Sequence, residues 1–186
     1  MLHAVSLAVL LQLFNLAGAP PAVVAAAQTE VTRAYRAIGV PVRWQSDRPS
    51  TDTHTIHVVL LPIETGDLRY ITDTVMGAAL RTPAGTGVAY VFYTRVAQQA
   101  NQHDVSSALV LASAISHELG HLLLGSRGHS PTGLMRACWR PAEFSRAAEG
   151  QLRFSAEEGA NIRARILELE SFVEDYVSAG TVVPRP

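Results

Sequence analysis

The sequence predicts a single α/β (α+β) domain in which a small mixed sheet is backed by helices. The chain has 186 residues, which is enough for one domain with a full core and too few for two comfortable ones. Strand-like and helix-like patterns follow one another in the order β-α-β-β-β-α-loop-α. We therefore treat residues 1–186 as one domain.

The composition is that of an ordinary globular protein, with 48% hydrophobic residues and a formal net charge of −1. There is no basic excess that would indicate a nucleic-acid partner. No segment reaches the roughly 18 uninterrupted apolar residues of a membrane span, so we expect none. Cys138 is the single cysteine, which excludes an intrachain disulfide and a zinc site built on thiolates. Nothing in the composition indicates an oligomeric state.

The N-terminal stretch "LAVLLQLFNLAGAPPAVVAAAQ" has two interpretations, a secretory signal or the first strand and helix of the domain. Lys and Arg are absent from its start, and Gln12 and Asn15 interrupt the apolar run. Apolar residues at helical spacing follow it directly. We favour a strand over about 7–14, a loop with two prolines and a helix to about Ile38. Whether the protein is secreted, periplasmic or cytoplasmic stays open.

Three further strands and one irregular stretch follow. Residues 39–44, 54–62 and 87–93 are predicted as strands from their β-branched and aromatic content. Residues 63–86 are punctuated by Gly and Pro and predict no regular element.

Two long helices complete the prediction. One extends from an Asp104 N-cap to a stop at Gly125. The other covers 155–178, and Ser155 with Glu158 three residues later is typical of a capping box.

The helix over 104–125 carries polar groups that are energetically costly to bury. It has no charged residue between Asp104 and His117, which is typical of a buried helix. His117 and His121 are four residues apart and share one face, so both rings can point at one metal ion. Glu118 lies one residue round the helix, where its carboxylate can reach a metal-activated water but not easily the metal itself. This is the HExxH arrangement, with Glu118 as general base.

A catalytic zinc site needs a third protein ligand, and His129 is the first candidate. Gly125 lets the chain leave the helix, and His129 follows His121 by eight residues. The HExxH segment, the glycine, a third histidine and "SPTGLM" together resemble the metzincin metallopeptidases. That resemblance implies a zincin domain with one zinc ion held by His117, His121 and His129. It also implies a third-ligand loop and Met-turn over 126–136, with Met135 under the metal.

The spacing departs from the metzincin pattern, because the intervals to the glycine and to the third histidine are four and four instead of three and three. A carboxylate ligand downstream therefore stays as an alternative, with Glu143, Glu149 or Glu157 as candidates. The short loop favours His129, since closing a small loop costs little entropy. Met135 and Trp139 also fit ordinary core positions, and we treat the remaining histidines in the same way: His54, His57 and His103.

The functional expectation is a zinc-dependent metalloendopeptidase that hydrolyses a peptide or protein substrate, with Glu118 as the catalytic base. Zincin-like folds bind substrate along an edge strand, and "GVAYVFY" (87–93) fits that strand or an ordinary core strand. One alternative is a dedicated regulatory peptidase that acts on a single protein partner. Another is a non-catalytic module stabilised by zinc, which the open fourth position disfavours.

Overall fold

The computed structural model describes residues 8–45, 55–62, 75–81, 87–124 and 128–178, with the side chains of 170–178 left out. Within these ranges the chain forms a mixed α/β fold of five strands and five helices. Their bounds are β1 Val9–Asn15, α1 Pro21–Ala37, β2 Val42–Trp44, β3 Ile56–Leu61, β4 Gly77–Arg81, β5 Gly87–Phe92, α2 Tyr93–Gln102, α3 Ser107–Leu124, α4 Pro141–Ala148 and α5 Ala156–Ser178.

The five strands form one mixed sheet in the order β2-β1-β3-β5-β4. The first four strands in this order are parallel to one another, and β4 pairs antiparallel with β5. In β3 and β5 the alternate residues are fully buried, as expected for strands inside a sheet. The predicted small mixed sheet backed by helices is confirmed.

Helix α3 is the central helix of the fold. It packs against α1, α2, α5 and the β4–β5 side of the sheet. Among the described helices it alone is long and apolar enough to cross a bilayer by length and composition. Most of its residues are buried inside the protein, including Leu111, Ile115 and Leu119, so it packs here as a core helix.

The start of this helix differs from the prediction. Asp104 is not its N-cap, because α3 begins at Ser107. Asp104 lies in the turn between α2 and α3 with a φ of 53°, a left-handed conformation that Asp tolerates better than most residues. The helix ends at Leu124, and the predicted stop at Gly125 lies outside the described residues.

The prediction that "GVAYVFY" fits an edge strand is wrong. The segment is β5, which lies between β3 and β4 and is hydrogen-bonded on both sides. On this side of the sheet the edge strand is β4, at residues where the sequence predicts no regular element. Its composition explains the miss, because Gly77 and two alanines lack the β-branched side chains typical of strands.

The closing helix agrees with the sequence. Glu158 Oε2 accepts from the backbone N–H of Ser155 at 2.7 Å, and Ser155 Oγ accepts from the Glu158 N–H at 3.1 Å. This reciprocal pair is the predicted capping box, and it satisfies backbone donors at the start of α5.

Candidate metal centre

Helix α3 holds the first two histidines of the site. His117 is 8% exposed and His121 is half-buried. Their Nε2 atoms lie 3.0 Å apart, and the ring centroids lie 4.7 Å apart with the planes nearly perpendicular. The spacing of four residues therefore brings both rings to one point, as one face of a helix requires.

His129 reaches the same point from the segment that follows α3. Its Nε2 lies 3.2 Å from the Nε2 of His121, although the residue itself is exposed. The neighbouring Ser130 fixes this segment, since its N–H donates to the Met135 carbonyl at 2.9 Å and its hydroxyl donates to Glu158. The capping residue of α5 thus also positions the third histidine.

The donor set fits a zinc ion. One nitrogen of each of the three rings lies within 4.8 Å of the others. Ligand nitrogens at 2.0–2.1 Å from a tetrahedral zinc stand roughly 3.3 Å apart, close to the distances found here. If His121 Nε2 carried a hydrogen, it could donate it to the Nε2 of His117 or to that of His129, but not well to both. A metal ion accepts the lone pairs of all three nitrogens.

His117 is held in the tautomer that a metal requires. Its Nδ1 lies 2.7 Å from the Leu134 carbonyl oxygen, which only accepts, so Nδ1 carries the hydrogen and Nε2 keeps its lone pair. Burial, the largest influence, lowers the pKa of His117 to about 4. Burial and the nearby His129 lower the pKa of His121 as well. Both groups are therefore neutral near pH 7.

Trp139 supports the same carbonyl group. Its indole N–H donates to Leu134 O at 3.2 Å, and its ring meets His117 edge-on with 6.1 Å between centroids. The half-buried indole lines the cavity as well as packing against the core.

The turn below the histidines packs tightly against α3. Met135 is fully buried, and a Cβ added at Gly120 would lie 2.4 Å from its Sδ and 3.1 Å from the Phe154 ring. Gly120, which lies between the two helical histidines, therefore permits the close approach. Sequence reasoning missed this residue, and the available signal was a glycine inside an otherwise strong helix.

Glu118 is the one carboxylate beside the imidazole cluster among the described residues. It is 6% exposed and lies against β4, where a Cβ at Gly77 would be 2.7 Å from its Cγ and Oε1. Burial raises the pKa of its carboxyl to about 8. A carboxylic group with this pKa is suited to proton transfer near neutral pH.

A cavity of about 530 Å³ opens in front of these groups. Its lining comes from β4, from α3, and from the segment around Arg136 and Trp139. Its lining residues are Val75, Met76, Gly77, Ala78, Ala79, Arg81, Ala114, His117, Glu118, His121, Leu122, His129, Arg136, Ala137 and Trp139.

The three carboxylates considered as alternative ligands do not join the cluster in the described part of the chain. Glu143 is buried in α4, where it accepts from the Arg140 N–H at 2.9 Å and pairs with Arg136. Glu149 and Glu157 are exposed.

The remaining histidines and Cys138 have other surroundings. His57 packs edge-on against Phe14, and His103 stacks on Phe144. Cys138 is an exposed free thiol. His54, like Ser126 and Arg127 of the third-ligand loop, lies outside the described residues.

A comparison with solved structures finds a similar fold in a zinc-dependent peptidase from Methanocorpusculum labreanum (strain Z). The TM-score is 0.54 at 16% sequence identity, over 82% of this chain and 99% of that chain. At this level of identity the likeness shows a shared fold. No family model matches the sequence, and no curated protein matches it either.

Proposed function

We propose that this protein is a zinc-dependent peptidase that cleaves bonds within peptide or protein chains, a metalloendopeptidase. The observation that carries the proposal is the convergence of three imidazole nitrogens beside a buried carboxylate, at the floor of an open cavity. The fold shared with a zinc-dependent peptidase supports the same assignment.

His117, His121 and His129 would hold one zinc ion through Nε2. Three protein ligands leave a fourth tetrahedral position for water or substrate, which distinguishes catalytic from purely structural zinc sites. When bound, zinc would lower the pKa of a water molecule and polarise a carbonyl group as a Lewis acid. The hydrogen bond from His117 Nδ1 to Leu134 orients the first ligand, as outer-shell partners do in zinc proteins.

Glu118 would take the proton from the attacking water and deliver it to the leaving amine. Its carboxylate borders the cavity, where it can face a substrate. Burial opposes the charged form of this carboxyl, and a nearby cation would favour it, so that the group would be deprotonated and ready to accept a proton. Zinc and Glu118 therefore work as a pair.

Strand β4 would bind the substrate backbone. Within the described chain it pairs only with β5, so its outer edge offers unpaired N–H and C=O groups along the cavity. An extended peptide can add to such an edge as a further strand, which suits cleavage inside a chain. Met135 and the turn around it would form the Met-turn under the metal that the metzincin resemblance implies.

The experiment is to measure zinc content and hydrolysis of an unfolded protein substrate for wild type and Glu118→Gln. We expect one zinc per chain in both, with hydrolysis reduced about 10²- to 10⁴-fold in the variant, the usual contribution of a general acid–base group. A Glu168→Gln variant, altered on an exposed face of α5, serves as the control.

Hydrolysis that survives excess chelator would overturn the proposal. Equal hydrolysis by wild type and Glu118→Gln would overturn the role of Glu118. Zinc binding without any hydrolysis would favour the alternative of a zinc-stabilised module, and hydrolysis of one protein only would favour the dedicated regulatory peptidase.

A further inference from the structure

Two arginines from different elements line the cavity. Arg81 ends β4, and Arg136 comes directly after the turn that contains Met135. Among the described lining residues Glu118 is the single carboxylate. The described lining of the cavity therefore has two arginines and one carboxyl group, so positive charge is in excess.

The guanidinium of Arg81 has one hydrogen bond to the described residues. Its Nη2 donates to the Leu122 carbonyl at 2.5 Å, near the C-terminal end of α3. An arginine has five N–H donors, so this bond engages only one of them. Leu122 follows Glu118 by four residues in α3, so the guanidinium lies about one helical turn, roughly 6 Å along the helix, from the position of Glu118.

Arg136 is held more rigidly. Its side chain is 20% exposed, its Nε donates to the Cys138 carbonyl at 3.0 Å, and its Nη1 lies 3.5 Å from Glu143 Oε1. Glu143 is shared, since its other oxygen accepts from the N–H of Arg140 at the start of α4. The long, shared contact leaves Arg136 able to attract a second carboxylate.

We propose that the cavity selects peptides that carry a Glu or Asp side chain next to the scissile bond, recognised by Arg81 and Arg136. The inference rests on the proposed function in that the ligand is a peptide. Arginine forms directional pairs with carboxylates, and a cleft of one sign raises the local concentration of oppositely charged ligands. A zinc ion at the histidines would add to the same positive field.

The test uses labelled decapeptides that are identical except for one Glu, Gln or Lys, placed at each position in turn. Binding to zinc-loaded Glu118→Gln protein is measured by fluorescence anisotropy, and cleavage by the wild type is measured in parallel. We expect Glu peptides to bind more tightly than Lys peptides by about fivefold per arginine engaged, the range for partly exposed ion pairs. The preference should shrink as salt is raised.

Substitutions test whether Arg81 and Arg136 produce the preference for Glu peptides. Arg81→Gln and Arg136→Gln should each reduce the ratio of Glu to Lys binding, Arg136→Lys should retain most of it, and Arg81→Glu should shift it toward Lys peptides. Arg43→Gln on β2, at the opposite edge of the sheet, makes the same change of charge and should leave the ratio unaltered. A melting curve for each variant confirms that it is folded.

The possible outcomes separate this inference from the proposed function. Equal binding of Glu and Lys peptides, no peptide binding at all, or a preference that survives both Gln substitutions would overturn the inference, even if hydrolysis is efficient. Selective binding of Glu peptides by a protein that hydrolyses nothing would support the inference and overturn the peptidase assignment.

Discussion

The candidate site depends on a few polar residues placed in an apolar helix at high energetic cost. His117 and Glu118 are both buried. Burial lowers the pKa of His117 and raises that of Glu118, and each shift favours the neutral form of the side chain. Without a ligand, these groups oppose folding instead of stabilising it. The proposed zinc ion would turn the same arrangement into a favourable one, and it would then contribute to stability as well as to chemistry.

His129→Ala tests the third ligand. Removing one of three imidazoles should weaken zinc binding by more than about 100-fold, since outer-shell partners alone contribute 10- to 100-fold. The measurement is competition with a chromogenic chelator at pH 7.5. His57→Ala provides the matched control, because His57 lies on β3 beside Phe14 and does not line the cavity.

The opposite result has a clear meaning. If His129→Ala binds zinc as tightly as wild type, the third ligand lies elsewhere, and Glu143, Glu149 and Glu157 return as candidates for substitution.

The helices and strands with a clear hydrophobic period were predictable from the sequence. β1, α1, β3, β5 and α5 lie where the patterns predict them, within a few residues. α2 and α4 were missed because they are short and polar, so packing against α3 decides their structure more than their own pattern does. Strand β4 pairs with β5 and needs glycine at position 77, where a side chain would clash with Glu118 and with the Tyr90 backbone, a tertiary reason that no local pattern contains.

The candidate site, too, has one part that the sequence predicts and one part that it does not. The spacing of four predicts the meeting of His117 and His121, because helix geometry alone sets that distance. The carbonyl of Leu134 and the close approach of Met135 to Gly120 depend on how a distant turn packs, and the sequence does not reveal them.

The fit between α3 and the turn beneath it can be tested with Gly120→Ala. Alanine favours the helix by about 1 kcal/mol over glycine. Its methyl group would nevertheless clash with the buried Met135, and such overpacking costs about 1–3 kcal/mol. We expect a net loss of up to about 2 kcal/mol in the free energy of unfolding, measured by urea denaturation of the metal-free protein.

A double-mutant cycle isolates the contact. Met135→Ala alone should destabilise the protein by about 2–5 kcal/mol through the cavity it leaves. In that background Gly120→Ala should become neutral or stabilising, because the clash is gone and the helix preference remains. Additive effects of the two substitutions would contradict the packing described for this turn.

At the scale of the whole molecule, one helix connects the core with the site. α3 packs against the sheet and against α1, α2 and α5, while its C-terminal half presents His117, Glu118 and His121 to the cavity. β4 and the turn around Met135 approach it from two sides. The stability of the fold and the state of the site are therefore coupled, and pH should reveal this coupling.

Without metal, His117 and Glu118 should give stability opposite dependences on pH. Between about 4 and 6.5 the unfolded state protonates His117 and the folded state does not, so stability rises with pH. Between 4.5 and about 8 the folded state keeps the Glu118 proton and the unfolded state loses it, so stability falls as pH rises. The lowered pKa of His121 adds to the rise on the acid side.

Metal-free protein should therefore melt at its highest temperature near pH 6.5, with a fall of at least a few degrees by pH 9. Glu118→Gln should remove that alkaline fall, since the amide does not ionise. Zinc should remove it too, because a cation favours the charged carboxylate, and its stabilisation should vanish on acidification as the imidazoles protonate. Melting curves from pH 4 to 9, with chelator or with zinc, measure all three effects. An alkaline fall that persists in Glu118→Gln would show that another group titrates there.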